Sequence, residues 1–130
     1  MTSLTVSAVL FDLDGTLIDT APEFIHIGLQ LRAEAGLPPI DAKTIWHSVS
    51  NGAIGMVEAA LEMPADDPAF EQWRQRFLTL YETGLGDLSH PYPGLPELVA
   101  SLDKAGIGWG VVTNKLARFA LPLMDKMPFD

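Results

Sequence analysis

Asp12 and Asp14 stand two residues apart in the run Asp12-Leu-Asp-Gly-Thr16, directly after the apolar stretch Val6 to Phe11. That stretch is too short for a helix, and with Gly15 and the two carboxylates behind it, it reads as a fully buried parallel strand ending in a turn. The carboxyl end of such a strand is where open α/β sheets bind ligands. At this spacing Asp12 is placed to act as nucleophile and metal ligand, while the turn swings Asp14 to the other side of the same substrate. A carboxylate that attacks a phosphoryl group forms an acyl phosphate and splits a hard hydrolysis into two easier steps. Carboxylate and phosphate oxygens repel one another unless a hard cation bridges them, and Mg²⁺ suits an all-oxygen donor set. Asp14 is then the group to protonate the leaving alcohol and later to deprotonate the attacking water. A second apolar run, Ile107 to Thr113, ends in Thr113-Asn114, where a hydroxyl and the amides opening the next helix can hold phosphate oxygens.

Each of these residues also has a plain structural reading. Asp12 and Asp14 are ordinary strand-terminating turn residues in many proteins, and Thr113-Asn114 can be a strand-to-helix cap. Asp19 reads as a capping or loop residue more readily than as a catalyst. His26 and His47 fall in helical segments, where solvation or a satisfied core position outweighs ligation. Arg32, Arg74, Arg76 and Arg118 read as solvated helix charges, any of which could hold a substrate oxygen if it faced a cleft. Ser50-Asn51-Gly52 with Gly55 is either a loop over the site or a turn between helices.

The elements that must position these groups are marked along the chain. Thr20-Ala-Pro-Glu23 has the form of a capping box, and Phe24, Ile27, Leu31 and Ala35 follow at helical spacing until Gly36 and Pro38-Pro39. Short helices are expected over 41–49 and 51–61, with Ile45 and Val49, then Ile54, Val57 and Leu61, as their apolar stripes. Asp67-Pro68 reads as N-cap and first helical residue of an amphipathic helix carrying Phe70, Trp73, Phe77 and Tyr81 as packing residues. Two prolines and a glycine in Leu88-Ser-His-Pro-Tyr-Pro-Gly94 make a stiff connector. A helix through Leu95, Leu98, Val99 and Leu102 closes at Gly106, and Lys115 to Met127 reads as a last helix that Pro122 either kinks or delays. Strand and helix at the two ends with an all-helical middle is the pattern of a parallel α/β core holding an inserted helical domain.

Composition narrows the function classes. The 130 residues are 48% hydrophobic and 19% charged, enough apolar material for one ordinary core. A formal net charge of −9 disfavours a nucleic-acid backbone or an anionic membrane as partner. With no cysteine there is no disulfide framework and no thiolate zinc site, which fits a reducing compartment. The N-terminus lacks a basic signal-peptide region and no run approaches a membrane span, so the expected location is the cytoplasm.

Phe11-Asp-Leu-Asp-Gly-Thr-Leu-Ile-Asp19 resembles motif I of the haloacid dehalogenase superfamily, and Val111-Val-Thr-Asn-Lys115 is similar to motif II of its phosphoglycolate phosphatase branch. The resemblance implies an α/β, Rossmann-like parallel-sheet core over 1–17 and 91–130, incomplete here, with a helical cap domain over 18–90. It implies Asp12 as nucleophile, Asp14 as general acid and base, and Mg²⁺ held by Asp12 and the Asp14 backbone carbonyl. Thr113 is the implied phosphate-holding hydroxyl, and Leu13, Gly15, Thr16 and Asn114 complete the expected phosphate-binding set. Relatives with threonine or alanine at the position of Asp14 are ATPases or phosphonatases, so an aspartate points to phosphate esters. The expected substrate is a small phosphorylated metabolite: phosphoglycolate first, or a phosphosugar such as N-acetylmuramic acid 6-phosphate, on which some members of the branch act.

Members of that family continue past motif II to a lysine that neutralises the phosphate and then to acidic residues that complete the metal site, whereas this sequence stops at Asp130. Lys115 follows motif II directly and is not that lysine. A catalytically incomplete fragment that only folds and associates is therefore the rival expectation. The predicted core holds two evident strands, and a two-stranded parallel sheet has little stability by itself. The 130-residue chain is accordingly expected to cover its open edge by self-association, or to be the ordered part of a longer polypeptide; a monodisperse 14.1 kDa monomer in sedimentation, unfolding cooperatively, would contradict this.

Overall fold

The computed structural model describes residues 5–129, which fall into two compact units, one formed by the chain up to Thr20 together with the chain from His90 onward, the other by Ala21–Ser89.

In the first unit, strand β1 (Ala8–Phe11) pairs in parallel with a strand near the other end of the chain, Gly108–Val111, in the register Ala8↔Gly108 through Phe11↔Val111. Between them in sequence lie β2 (Ile18–Asp19), which pairs antiparallel with β3 (His90–Pro91), and α5 (Leu95–Lys104), which leads into the Gly108–Val111 strand, β4, and packs against it. Gly106, at φ +72°, makes the left-handed step between α5 and β4 that a side chain would resist. Helix α6 (Ala117–Lys126) closes the described chain and buries Phe119, Ala120 and Leu123. Leu13, Leu17, Ile18, Val99 and Leu102 are the other main buried residues of this unit. Trp109 meets Phe11 edge-on at 6.3 Å and Phe129 at 5.7 Å, and its indole N–H donates to Asp103 at 3.2 Å.

The expectation of a fully buried first strand is corrected. Only Phe11 is buried in β1, and Leu10 is 69% exposed. Among the described residues the sheet has two strands, so β1 is bonded along one edge only and one face of it stays open. In α6, Pro122 lies inside the helix rather than ending it, and the helix starts two residues after Lys115. A proline there gives up the bond to the Arg118 carbonyl, a loss the buried Phe119–Leu123 face offsets.

The second unit is helical. Helix α1 (Ala21–Glu34) packs against α3 (Gly52–Leu61) and α4 (Phe70–Thr83), and α3 packs against α4; the short α2 (Ala42–Trp46) lies against α1 and α3. Ile27, Leu31, Ile45, Met56, Val57, Ala60, Phe70, Phe77 and Tyr81 are buried. Gly28 permits a close approach between elements, because a Cβ there would lie 3.1 Å from Ile45 and 3.2 Å from Met56. Phe24 sits edge-on to both Phe77, at 5.7 Å, and Tyr81, at 5.0 Å.

Three local expectations change here. The Thr20–Glu23 pair does not close as a capping box: the Thr20 hydroxyl donates to Asp14 Oδ1 at 2.8 Å. The Glu23 carboxylate is turned away, accepting from Gly86 N at 2.8 Å and from Ser89 Oγ, and so ties the segment after α4 to α1. Asp67 accepts from Ala69 N, and its carbonyl from Phe70 N, in a turn through Pro68, so α4 starts at Phe70 rather than at Pro68. The helix expected over 41–49 ends at Trp46 and gives way to a 3-10 turn, Val49–Asn51, where Asn51 comes so close that a Cβ at Gly55 would lie 2.3 Å from its Cβ.

Arg32 is not a solvated helix charge. It is buried, and its guanidinium donates to the carbonyls of Pro38 and Ala60 and to Glu62 Oε2 at 3.3 Å. The Ala60 carbonyl lies in the last turn of α3, where helical partners run out, and a cation there also meets the negative end of the helix. Glu62 caps α3 in the left-handed region at φ 51°, and its carboxylate is mostly exposed. The other arginines do lie at the surface: Arg76 reaches Glu34 and Arg74 reaches Glu71, whose carboxyl the guanidinium holds down at about 2. His26 and His47 are exposed. No helix among the described residues is long and apolar enough to cross a membrane.

Because Arg32 satisfies two main-chain carbonyls while Glu62 adds only a surface charge, the two residues should respond differently to truncation. Arg32→Ala is expected to cost about 2 kcal/mol through the unsatisfied buried carbonyls. Glu62→Gly should stay within about 0.5 kcal/mol, since the lost surface pair is offset by relief of the left-handed backbone. Urea unfolding of the two variants measures both.

Candidate active site

The parallel register sets the geometry of the site. Phe11 and Val111 are the last paired residues, and Val112 N donates to the Phe11 carbonyl at 2.8 Å, so both strands deliver their next residues from the same edge. One strand continues into Asp12-Leu-Asp-Gly-Thr16, the other into Thr113-Asn114-Lys115.

After β1 the backbone folds into a tight turn. Leu17 N donates to the carbonyls of Asp12 and Leu13, and Ile18 N to that of Leu13. Gly15 takes φ +76°, and Asp14 forms a single bridge to Ile18. The Leu13 side chain is fully buried, pinning the turn from below. Asp12 is exposed at the strand end; its Oδ1 accepts from Leu13 N at 2.7 Å and its Oδ2 has no partner among the described residues. The amides of Gly15 and Thr16 close the turn, on the carbonyls of Ile18 and Leu13. The Leu13 amide faces the Asp12 carboxylate and lies at the site.

Asp14 is half-buried and differently placed. Its Oδ1 accepts from the Thr20 hydroxyl at 2.8 Å and from Lys115 Nζ at 2.9 Å. Thr113 Oγ1 accepts from Lys115 N at 3.1 Å, which curls the chain after β4 and leaves the hydroxyl hydrogen for another acceptor. Asn114 is exposed beside it. Asp19 lies on β2 and takes a hydrogen bond from Tyr92; burial first, then this carboxylate, push the Tyr92 phenol above its ordinary range. That contact makes Asp19 a structural partner of the β2–β3 pair.

The segments that carry Asp12 and Asp14, and Thr113 and Asn114, thus leave the sheet from neighbouring strand ends. The second also carries Lys115, which sequence reasoning sets aside. The available signal was its position: it directly follows a strand end paired with the strand that carries the two aspartates. The exposed carboxylate of Asp12 is an oxygen donor of the kind that suits a hard cation. No cluster of three or more acidic, cysteine or histidine side chains that could hold a metal ion occurs among the described residues.

The profile described as haloacid dehalogenase-like hydrolase matches residues 9–130. The chain is 50% identical over 129 residues to the N-acetylmuramic acid 6-phosphate phosphatase of Pseudomonas aeruginosa, covering 99% of this chain and 57% of that protein. It is 40% identical over 135 residues to the phosphoglycolate phosphatase of Agrobacterium fabrum, covering 98% of this chain and 56% of that one. The chain therefore spans little more than half the length of these relatives. Among solved structures, a predicted phosphoglycolate phosphatase from Haemophilus somnus superposes with a TM-score of 0.78 at 23% identity, over 95% of this chain and 58% of that one, a likeness of fold. With two paired strand ends carrying Asp12-Leu-Asp-Gly-Thr16 and Thr113-Asn114, and a match over nearly its whole length, the chain belongs to the haloacid dehalogenase-like hydrolase family.

Proposed function

We propose that these residues serve a Mg²⁺-dependent phosphatase that releases phosphate from a small phosphomonoester in the cytoplasm. The observation that carries this reading is the shared edge of β1 and β4, where Asp12 is exposed and Asp14 is reached from the far end of the chain by Lys115. Asp12, with Oδ2 unpartnered, attacks phosphorus and carries the phosphoryl group. Asp14 stands one residue beyond, on the turn, to give a proton to the departing alcohol and to take one from the water that frees the phosphate. The Thr113 hydroxyl, with its oxygen already accepting from Lys115 N, donates its hydrogen to a phosphate oxygen. Asn114 supports the same group. Bound Mg²⁺, held by Asp12 and the Asp14 carbonyl, would supply positive charge to balance carboxylate against phosphate. The helical unit 21–89 would serve as the cap that selects the substrate.

Of the two substrate readings, the 50% identity to an N-acetylmuramic acid 6-phosphate phosphatase supports a phosphosugar ahead of phosphoglycolate. Exposed Leu10 on β1 and exposed Val112 directly after β4 support association of the 130-residue chain with a second copy or with further polypeptide.

Asp12→Asn should lower Mg²⁺-dependent phosphate release from an aryl phosphate by at least about 10³-fold, and chelation of Mg²⁺ should remove the wild-type activity reversibly. Thr113→Val should lower kcat/KM by roughly 10²-fold, the scale for losing one donor to developing negative charge. Full activity in Asp12→Asn would refute the mechanism. Higher kcat/KM for phosphoglycolate than for N-acetylmuramic acid 6-phosphate in a substrate panel would reverse the substrate order.

A further inference from the structure

Lys115 places its ammonium 2.9 Å from Asp14 Oδ1, and its side chain is only 6% exposed against 35% for Asp14. A lysine buried to that degree loses rotamer freedom and hydration, so its charge must be used where it ends. It ends on the same oxygen that the Thr20 hydroxyl reaches from six residues along the chain. Two donors on Oδ1 fix the carboxyl plane, and Oδ2 accepts no hydrogen bond among the described residues. Lys115 is itself held at its root, because its amide donates to Thr113 Oγ1. The clamp is thus built on the second strand end and acts across the β1–β4 pair.

We propose that Lys115 is a positioning residue for Asp14: it secures Oδ1 so that Oδ2 is the oxygen presented to the reacting group. The proposal rests on the phosphatase reading. In the first half-reaction an Asp12 oxygen bonds to phosphorus as the ester P–O bond breaks, and the proton on Asp14 Oδ2 passes to the departing alkoxide. In the second, Oδ2 takes a proton from water as the water oxygen bonds to phosphorus and the bond to Asp12 breaks. A lysine that contacted phosphate would favour every substrate alike. One that orients the proton donor matters most where the leaving group needs the proton.

The leaving group therefore provides the test. In the full chain, Lys115→Met should lower kcat/KM, which reports the steps up to departure of the leaving group, by on the order of 10- to 100-fold for an alkyl phosphomonoester, within the range of general acid catalysis, and by less than about threefold for p-nitrophenyl phosphate. Any slowing of the shared hydrolysis step should lower kcat and KM together for p-nitrophenyl phosphate, and Lys115→Arg should recover most of the alkyl kcat/KM. Equal losses of kcat/KM on both substrates, or a rise confined to KM, would overturn the positioning role and make Lys115 a phosphate ligand or a structural residue. The ion pair is read independently by the ¹⁵N–¹H signal of the Lys115 ammonium, which should be slowed in hydrogen exchange and lose that protection in Asp14→Asn. An unprotected wild-type ammonium would overturn the clamp itself. A protected ammonium in a wild-type protein that releases no phosphate would overturn the phosphatase reading, and the positioning role with it.

Discussion

Everything at the site depends on four residues of one strand lying in register beside four of another, about a hundred positions away in sequence. A parallel pair cannot be closed by a short turn, so whatever connects the strands has to leave the sheet and return. Here the connection holds an entire helical unit. The in-register ending at Phe11 and Val111 then places Asp12 and Asp14 alongside Thr113 and Lys115. A slip of one residue would turn each side chain to the opposite face and separate these groups.

The two aspartates are given unlike surroundings by that arrangement. Asp12 meets one backbone amide and otherwise faces outward, whereas Asp14 is held by a hydroxyl and a buried ammonium. Two acidic groups of identical chemistry take different parts in a reaction when their environments differ in this way. The helical unit shows the same economy with Arg32, whose charge serves main-chain carbonyls at the end of α3.

Much of the fold was legible in the sequence because its signals are local. Short apolar runs before Asp12 and Thr113, glycine at 106 and the spacing of Phe70, Phe77 and Tyr81 each depend on a few neighbouring residues. The errors arise where a local pattern competes with a distant partner. Thr20 and Glu23 satisfy the spacing of a capping box, yet Asp14 and the 86–89 segment claim both side chains. Pro68 starts a turn because Asp67 is satisfied two residues on, and the helix begins after it. Lys115 has no distinguishing neighbour in its own segment, and its role is visible only once the two strand ends lie side by side. The exposure of Leu10 was likewise invisible, since a strand's own residues do not say how many neighbours flank it.

Trp109 has a consequence of another kind. It is wedged against Phe11 on the paired strand and Phe129 beyond α6, with its indole N–H on Asp103, while the other two tryptophans, Trp46 and Trp73, belong to the helical unit. Indole emission responds to burial and to a nearby carboxylate, so this residue is a built-in optical reporter on the strand pair. With Trp46 and Trp73 replaced by phenylalanine, fluorescence would follow the joining of the two chain ends alone, separating the melting of the sheet from that of the helices within one molecule.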